Sequence, residues 1–111
     1  MYKRQLESLT FTKTIAEGTA IKTPIRLPKI LDILKKTKGG GLAVTEEEIL
    51  KATLELSKKG FFVEPTCASA AVGLEKLQAN NLIGSGETTV VVLTGSGLKS
   101  SDFFTENFEL Q

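Results

Sequence analysis

The feature that most constrains this chain is the run Thr89-Val90-Val91-Val92-Leu93-Thr94-Gly95-Ser96-Gly97-Leu98-Lys99. Four β-branched or aliphatic residues pass straight into a hydroxyl and a glycine loop. A continuous apolar run of this kind predicts a strand buried on both faces, as in a parallel sheet covered by helices. Gly95 and Gly97 let backbone approach a ligand closely. Ligands of open α/β sheets sit outside the carboxyl ends of the strands, so a site belongs beside Thr94.

The segments before this run alternate. Residues 1–13 are polar and weakly patterned and read as an N-terminal extension. Thr14-Ile15-Ala16-Glu17-Gly18 reads as a short strand and turn ending in glycine. Pro28 suits a first helical turn, where its missing N–H has no use. Leu27, Ile30, Leu31 and Leu34 follow at helical spacing, and Lys35, Lys36 and Lys38 suit a solvated last turn. Gly39-Gly40-Gly41 ends that helix, and Leu42-Ala43-Val44 reads as a strand. Thr45-Glu46-Glu47-Glu48 is a capping box, so these acids are poor catalytic candidates. Ile49, Ala52, Thr53 and Leu56 continue one face, with Gly60 placed to close the helix. Phe61-Phe62-Val63 reads as another strand, then a helix rich in small residues runs from about Pro65 to Leu77, suited to lie close on a sheet. Strands alternating with helices imply parallel pairing and right-handed crossovers. The expected fold is therefore α/β: a small three-layer unit over residues 14–99, with a short, mostly parallel sheet of three to four strands and about three helices. A Phe-rich tail, 100–111, completes the chain.

Composition excludes several classes of function. A net charge of +1, from 14 basic and 13 acidic residues, argues against a nucleic-acid partner or an anionic membrane. No stretch approaches the ~20 apolar residues of a membrane span, and the start lacks the apolar run of a signal peptide. One cysteine, Cys67, allows no internal disulfide and points to a reducing, cytoplasmic compartment. With no histidine to activate it, Cys67 reads as a buried thiol, and no metal site is expected. The glycine loop is not a dinucleotide fingerprint, because Ser100 stands where a third glycine belongs. Glu64-Pro65 is a sharp exit at a strand end; the Glu64 carboxylate either touches a ligand or caps the following helix.

Four segments together carry more. Thr14-Ile15-Ala16-Glu17-Gly18, Pro24-Ile25-Arg26-Leu27-Pro28-Lys29-Ile30-Leu31, Phe62-Val63-Glu64-Pro65-Thr66-Cys67-Ala68-Ser69-Ala70 and Val92-Leu93-Thr94-Gly95-Ser96-Gly97-Leu98-Lys99 occur in this order. They resemble the C-terminal part of the threonine synthases, pyridoxal-phosphate (PLP) enzymes of the tryptophan synthase β-subunit fold. Threonine dehydratases resemble the first segment well, but the Leu-Thr-Gly-Ser-Gly-Leu-Lys ending is more similar to the synthases. The resemblance implies a cofactor-binding set. Thr94 would face the pyridine nitrogen, with Gly95 beside it. Glu64 would lie at the cofactor rim, and the Ala16, Glu17 and Gly18 backbone near the ring. A hydroxyl bonds the nitrogen without holding it protonated, which makes the cofactor a milder electron sink.

The resemblance also implies what the matched segments lack. The lysine that holds the cofactor, an asparagine near the ring oxygen and a glycine-rich phosphate loop belong to other parts of such enzymes. Lys13, Lys22 and Lys99 are outside that lysine's motif. The chain is accordingly expected to be a C-terminal fragment of a PLP-dependent lyase, inactive alone, with the N-terminal part of the enzyme as a partner. A stand-alone binding or assembly module, and a fragment of a threonine or serine ammonia-lyase, are the alternatives. Self-association to a homo-oligomer is expected too. An exposed sheet edge recruits strands, and Phe103, Phe104, Phe108 and Leu110 must either fold back or dock on a neighbour.

Overall fold

The structure, a computed structural model, describes residues 10–108. Most of the expected N-terminal extension, and Leu110 of the tail, lie outside those residues. Four helices are described: α1 (Leu27–Thr37), α2 (Glu46–Lys58), α3 (Pro65–Ala79) and α4 (Ser101–Asn107). Two 3-10 turns, Glu17–Thr19 and Gly97–Ser100, complete the regular structure. No helix among them is long and apolar enough to cross a membrane.

The local signals for helices hold. Pro28 and Pro65 sit in the first turns of α1 and α3. At the start of α2 the Glu48 N–H donates to the Thr45 hydroxyl (3.2 Å), and the Thr45 N–H donates to the Glu48 carboxylate (2.7 Å). Each of the three longer helices closes in the same way. A residue turns left-handed, and the next N–H reaches back to a carbonyl of the last turn. The left-handed residues are Lys38, Gly60 and Asn81. The closing bonds run from Gly39 to Leu34, Phe61 to Leu56 and Leu82 to Leu77, each 2.9 Å. In α1 the left-handed position falls on Lys38 rather than on the glycines that follow it.

The expected sheet is not there. Among the described residues the only β pairing is an isolated antiparallel bridge between Val63 and Ser96. It is flanked by hydrogen bonds from the Gly97 N–H to the Phe62 carbonyl (3.0 Å) and from the Glu64 N–H to the Gly95 carbonyl (3.2 Å). The α/β three-layer fold with a three- to four-strand parallel sheet and right-handed crossovers is therefore corrected to a helical assembly. The physical reason is partnership. Leu42–Val44, Phe61–Val63 and Val90–Leu93 have strand-forming residues, but a ladder needs a neighbouring strand, and these segments do not serve one another. Val90 is 80% exposed and Val92 67% exposed, so the run expected to be buried on both faces stands in solvent.

The core lies instead between α2 and α3. Ala52, Ala68 and Val72 are buried there, with Val44 and Leu56 packed against them. The small-residue face of α3 thus meets a helix, not a sheet. Thr53 is fully buried, and its hydroxyl donates to the Ile49 carbonyl (2.7 Å). The Lys76 ammonium ties α3 back to the head of α2 through the Ala43 carbonyl (2.9 Å) and the Glu48 carboxylate (2.8 Å). A second cluster gathers on Phe104, which is buried, with ring centroids 4.6 Å from Phe62 and 5.8 Å from Phe108. This part of the tail folds back over the chain's own body. Helix α1 buries no residue.

The result is an open molecule. Among the described residues Ile25, Val90 and Leu98 are 97%, 80% and 78% exposed.

Candidate functional site

The residues singled out by sequence converge on the head of α3. Glu64 is the N-cap residue of that helix, in extended conformation, and its side chain makes no capping hydrogen bond. The carboxylate lies against Gly95 instead. A Cβ placed on Gly95 would stand 2.0 Å from the Glu64 Oε1 and 2.4 Å from its Cδ. Only a glycine accommodates the carboxylate there, so the chain uses this glycine for close approach by its own side chain. Thr94 is exposed immediately before buried Gly95. Gly97 has a related role: a Cβ there would meet the Phe62 and Phe104 rings at 2.9 Å.

The Ala16–Gly18 segment arrives at the same helix head from the other side. The Gly18 N–H donates to the Thr66 hydroxyl (3.0 Å), in the first turn of α3. Ala16 is buried, and its carbonyl accepts from the Thr19 N–H (2.9 Å) and the Thr19 hydroxyl (2.8 Å). Upstream, the Thr14 hydroxyl and the Ile15 N–H both donate to the Glu46 carboxylate, at 2.5 and 2.8 Å. Glu46 heads α2, so this carboxylate fastens the segment to the second core helix.

The structure thus places Thr94, Gly95 and Glu64 in one corner and Ala16, Glu17 and Gly18 along a segment bonded to the same helix end. It does not place all six on one cavity. A cleft of about 710 Å³ lies between the 13–17 segment, the head of α2 and α4. Glu17 lines it; the other five do not. Its walls carry both signs, including Lys13 and Lys99 against Glu46 and Asp102.

Two residues escaped sequence reasoning. Thr66 lay within a matched segment, but its bond to Gly18 spans 48 positions and leaves no local trace. Glu46 read as a helix-dipole acid, and nothing in its neighbours announces a bond to Thr14. The Lys76 ammonium, followed by the Thr45 N–H, holds the Glu48 carboxyl below its ordinary value of 4.5.

Comparison with known proteins decides the family. The family model for pyridoxal-phosphate dependent enzymes matches residues 2–95. The chain belongs to this family. Among curated proteins, it is similar to a threonine synthase of Methanocaldococcus jannaschii, 43% identical over 91 residues, which are 81% of this chain and 22% of that protein. A threonine synthase of Methanosarcina acetivorans is 38% identical over 88 residues, 78% of this chain and 22% of that protein. One of Mycobacterium leprae is 36% identical over 97 residues, 86% of this chain and 27% of that protein. The chain therefore spans about a quarter or less of the length of the curated relatives it matches. No solved structure matches it. The resemblance read from four segments is thus a true membership, and complete members of this PLP-dependent family use the cofactor.

Proposed function

We propose that this chain is the C-terminal part of a threonine synthase, contributing one wall of a PLP site to an enzyme that converts O-phosphohomoserine and water to threonine and phosphate. The observation that carries this is the identity of 43% over 91 residues to a threonine synthase. The other relatives cited bear the same name, which favours the synthase over an ammonia-lyase.

When bound, the cofactor supplies an electron sink for charge developing on the substrate carbon. The residues here fit one side of such a group. Thr94 is an exposed hydroxyl on a backbone held by the Gly95 and Gly97 hydrogen bonds to 62–64. It would hydrogen-bond the ring nitrogen without holding it protonated, since a hydroxyl is a weak acid. Gly95 keeps that backbone close, and Glu64 stands at the rim with its carboxylate packed on Gly95. The backbone of Ala16, Glu17 and Gly18 would border the ring, with Gly18 bonded to Thr66 and the preceding Thr14 and Ile15 bonded to Glu46. The lysine that holds the cofactor comes from the N-terminal part of the enzyme, which is the natural partner of this piece. The buried, unpaired Cys67 suits the reducing cytoplasm. Separated from the rest, the chain self-associates and has no activity.

The experiment is to add PLP and O-phosphohomoserine to the isolated chain. The expected result is the spectrum of free PLP, apart from slow adducts spread over surface lysines, and no released phosphate. A stoichiometric, visible-absorbing adduct at one lysine, or threonine formation, would overturn the reading.

A further inference from the structure

We infer that the Glu46 carboxylate and the Thr66 hydroxyl form a clamp that positions the Ala16–Gly18 wall against the Thr94 corner. The inference rests on the reading of those two places as walls of a PLP site. It adds two positioning residues that stand outside the cofactor-binding set and act on the ring only through backbone.

Glu46 heads α2, yet α2 does not need it as a cap. The Thr45–Glu48 box already closes that helix head, and Glu47 is a further acid in the same turn. Both oxygens of Glu46 bind outside the helix instead. Oε1 accepts from the Thr14 hydroxyl and Oε2 from the Ile15 N–H. Thr14 passes the constraint on, because its hydroxyl oxygen accepts from the Ala16 N–H (3.1 Å). One carboxylate thus fixes three successive residues at the entrance to the wall.

Thr66 holds the other end, where the Gly18 N–H donates to its hydroxyl. A Cβ on Gly18 would stand 3.0 Å from both Oγ1 and Cγ2 of Thr66, so a glycine is used for close approach here too. Between the two anchors Ala16 is buried, and its carbonyl is closed by Thr19.

The clamp matters because of what carries it. Glu46 and Thr66 sit in the first turns of α2 and α3, and the core lies between these two helices. Glu64, two residues before Thr66, donates its N–H to the Gly95 carbonyl (3.2 Å) and so holds the Thr94 corner. Both walls are therefore fixed to one helix head. A functional site must be held within about 0.5 Å of its productive geometry, and a misplacement of about 1 Å can cost about 100-fold in rate.

Near-isosteric changes test the clamp. Thr66→Val removes the acceptor for Gly18, and Thr66→Ser keeps it. Glu46→Gln can accept only one of the two bonds and sets an amide NH2 against the other donor. In the full chain, amide hydrogen exchange should quicken at Gly18 in Thr66→Val and at Ile15 in Glu46→Gln, and stay near wild type at Gly18 in Thr66→Ser. Circular dichroism verifies that each variant folds. In a complete enzyme carrying this C-terminal part, Thr66→Val and Glu46→Gln should shift the absorption band of bound PLP. They should also lower kcat per bound PLP by about tenfold to 100-fold, with KM for O-phosphohomoserine near wild type. Thr66→Ser should recover most of both. A purely structural role would reduce the amount of folded enzyme and leave the band and kcat per bound PLP alone. Unchanged exchange at both amides, or a wild-type band and kcat in both variants, would overturn the inference. A wild-type complete enzyme that binds no PLP or makes no threonine would overturn the synthase reading instead, and the exchange rates would then decide the clamp alone.

Discussion

Replacing Gly95 by alanine should have opposite effects with and without the Glu64 side chain. In the wild type the new Cβ would stand 2.0 Å from the Glu64 Oε1, where ordinary contact begins at 3.4 Å. The carboxylate must therefore retreat by about 1.4 Å, taking the Cδ and Cγ with it, since these would lie at 2.4 and 2.8 Å. Glutamate is flexible, so the cost is that of an off-rotamer side chain, about 0.5–1.5 kcal/mol. Against this, Gly95 is not left-handed, so alanine also restricts the unfolded chain and stabilises by about 0.4–1 kcal/mol. The single variant Gly95→Ala should be neutral or destabilised by up to about 1 kcal/mol. In a Glu64→Ala background the clash is gone, and the same change should be stabilising. The coupling, about 1 kcal/mol, is measurable by a double-mutant cycle. Read by thermal unfolding, it corresponds to roughly 4–8 °C in a domain near this size. If Gly95→Ala shifts the midpoint equally in both backgrounds, Glu64 does not rest on Gly95, and the corner that holds Thr94 is not built as described.

Other expectations follow from the same geometry. Gly97→Ala should destabilise more than Gly95→Ala, by about 1–3 kcal/mol, because its Cβ meets packed aromatic rings rather than a mobile carboxylate; an unchanged urea midpoint would refute the Phe62–Phe104 packing. Glu48 has a depressed folded pKa, caused first by Lys76. Its contribution is present above pH 4.5 and is lost as pH falls through the folded value. Wild type should therefore lose more thermal stability than Lys76→Met on acidification, and parallel pH profiles would contradict this. In a complete enzyme carrying this C-terminal part, Thr94→Asp should protonate the ring nitrogen of nitrogen-15 labelled cofactor, while Thr94→Ala should remove only a neutral hydrogen bond, worth ~1 kcal/mol. An unprotonated nitrogen in the aspartate variant would place Thr94 elsewhere.

Much of the local structure was legible because its causes are local. The Thr45–Glu48 box, the prolines opening α1 and α3, and the closure at Gly60 all act within a turn or two. The sheet was not legible for the opposite reason. Val90–Leu93 reports what those residues would be buried against, not whether this chain provides it. Here it does not, and the small residues of α3 find Ala52 of α2 instead of a strand. The site divides along the same line. The matched segments name Thr94, Glu64 and Gly18, but their relative placement depends on bonds such as Gly18 to Thr66 and Ile15 to Glu46, which join residues 48 and 31 positions apart. Glu64 shows the same limit: it takes the N-cap position, but its carboxylate makes no capping hydrogen bond and turns to Gly95 instead.

The most direct test of the central claim is a graft. Residues 14–99 replace the corresponding part of the Methanocaldococcus jannaschii threonine synthase, and threonine and phosphate are measured from O-phosphohomoserine. The account predicts a PLP-loaded hybrid that forms both products in equal amounts. A hybrid that folds and loads PLP, yet releases no threonine, or that instead deaminates threonine or serine, would contradict it.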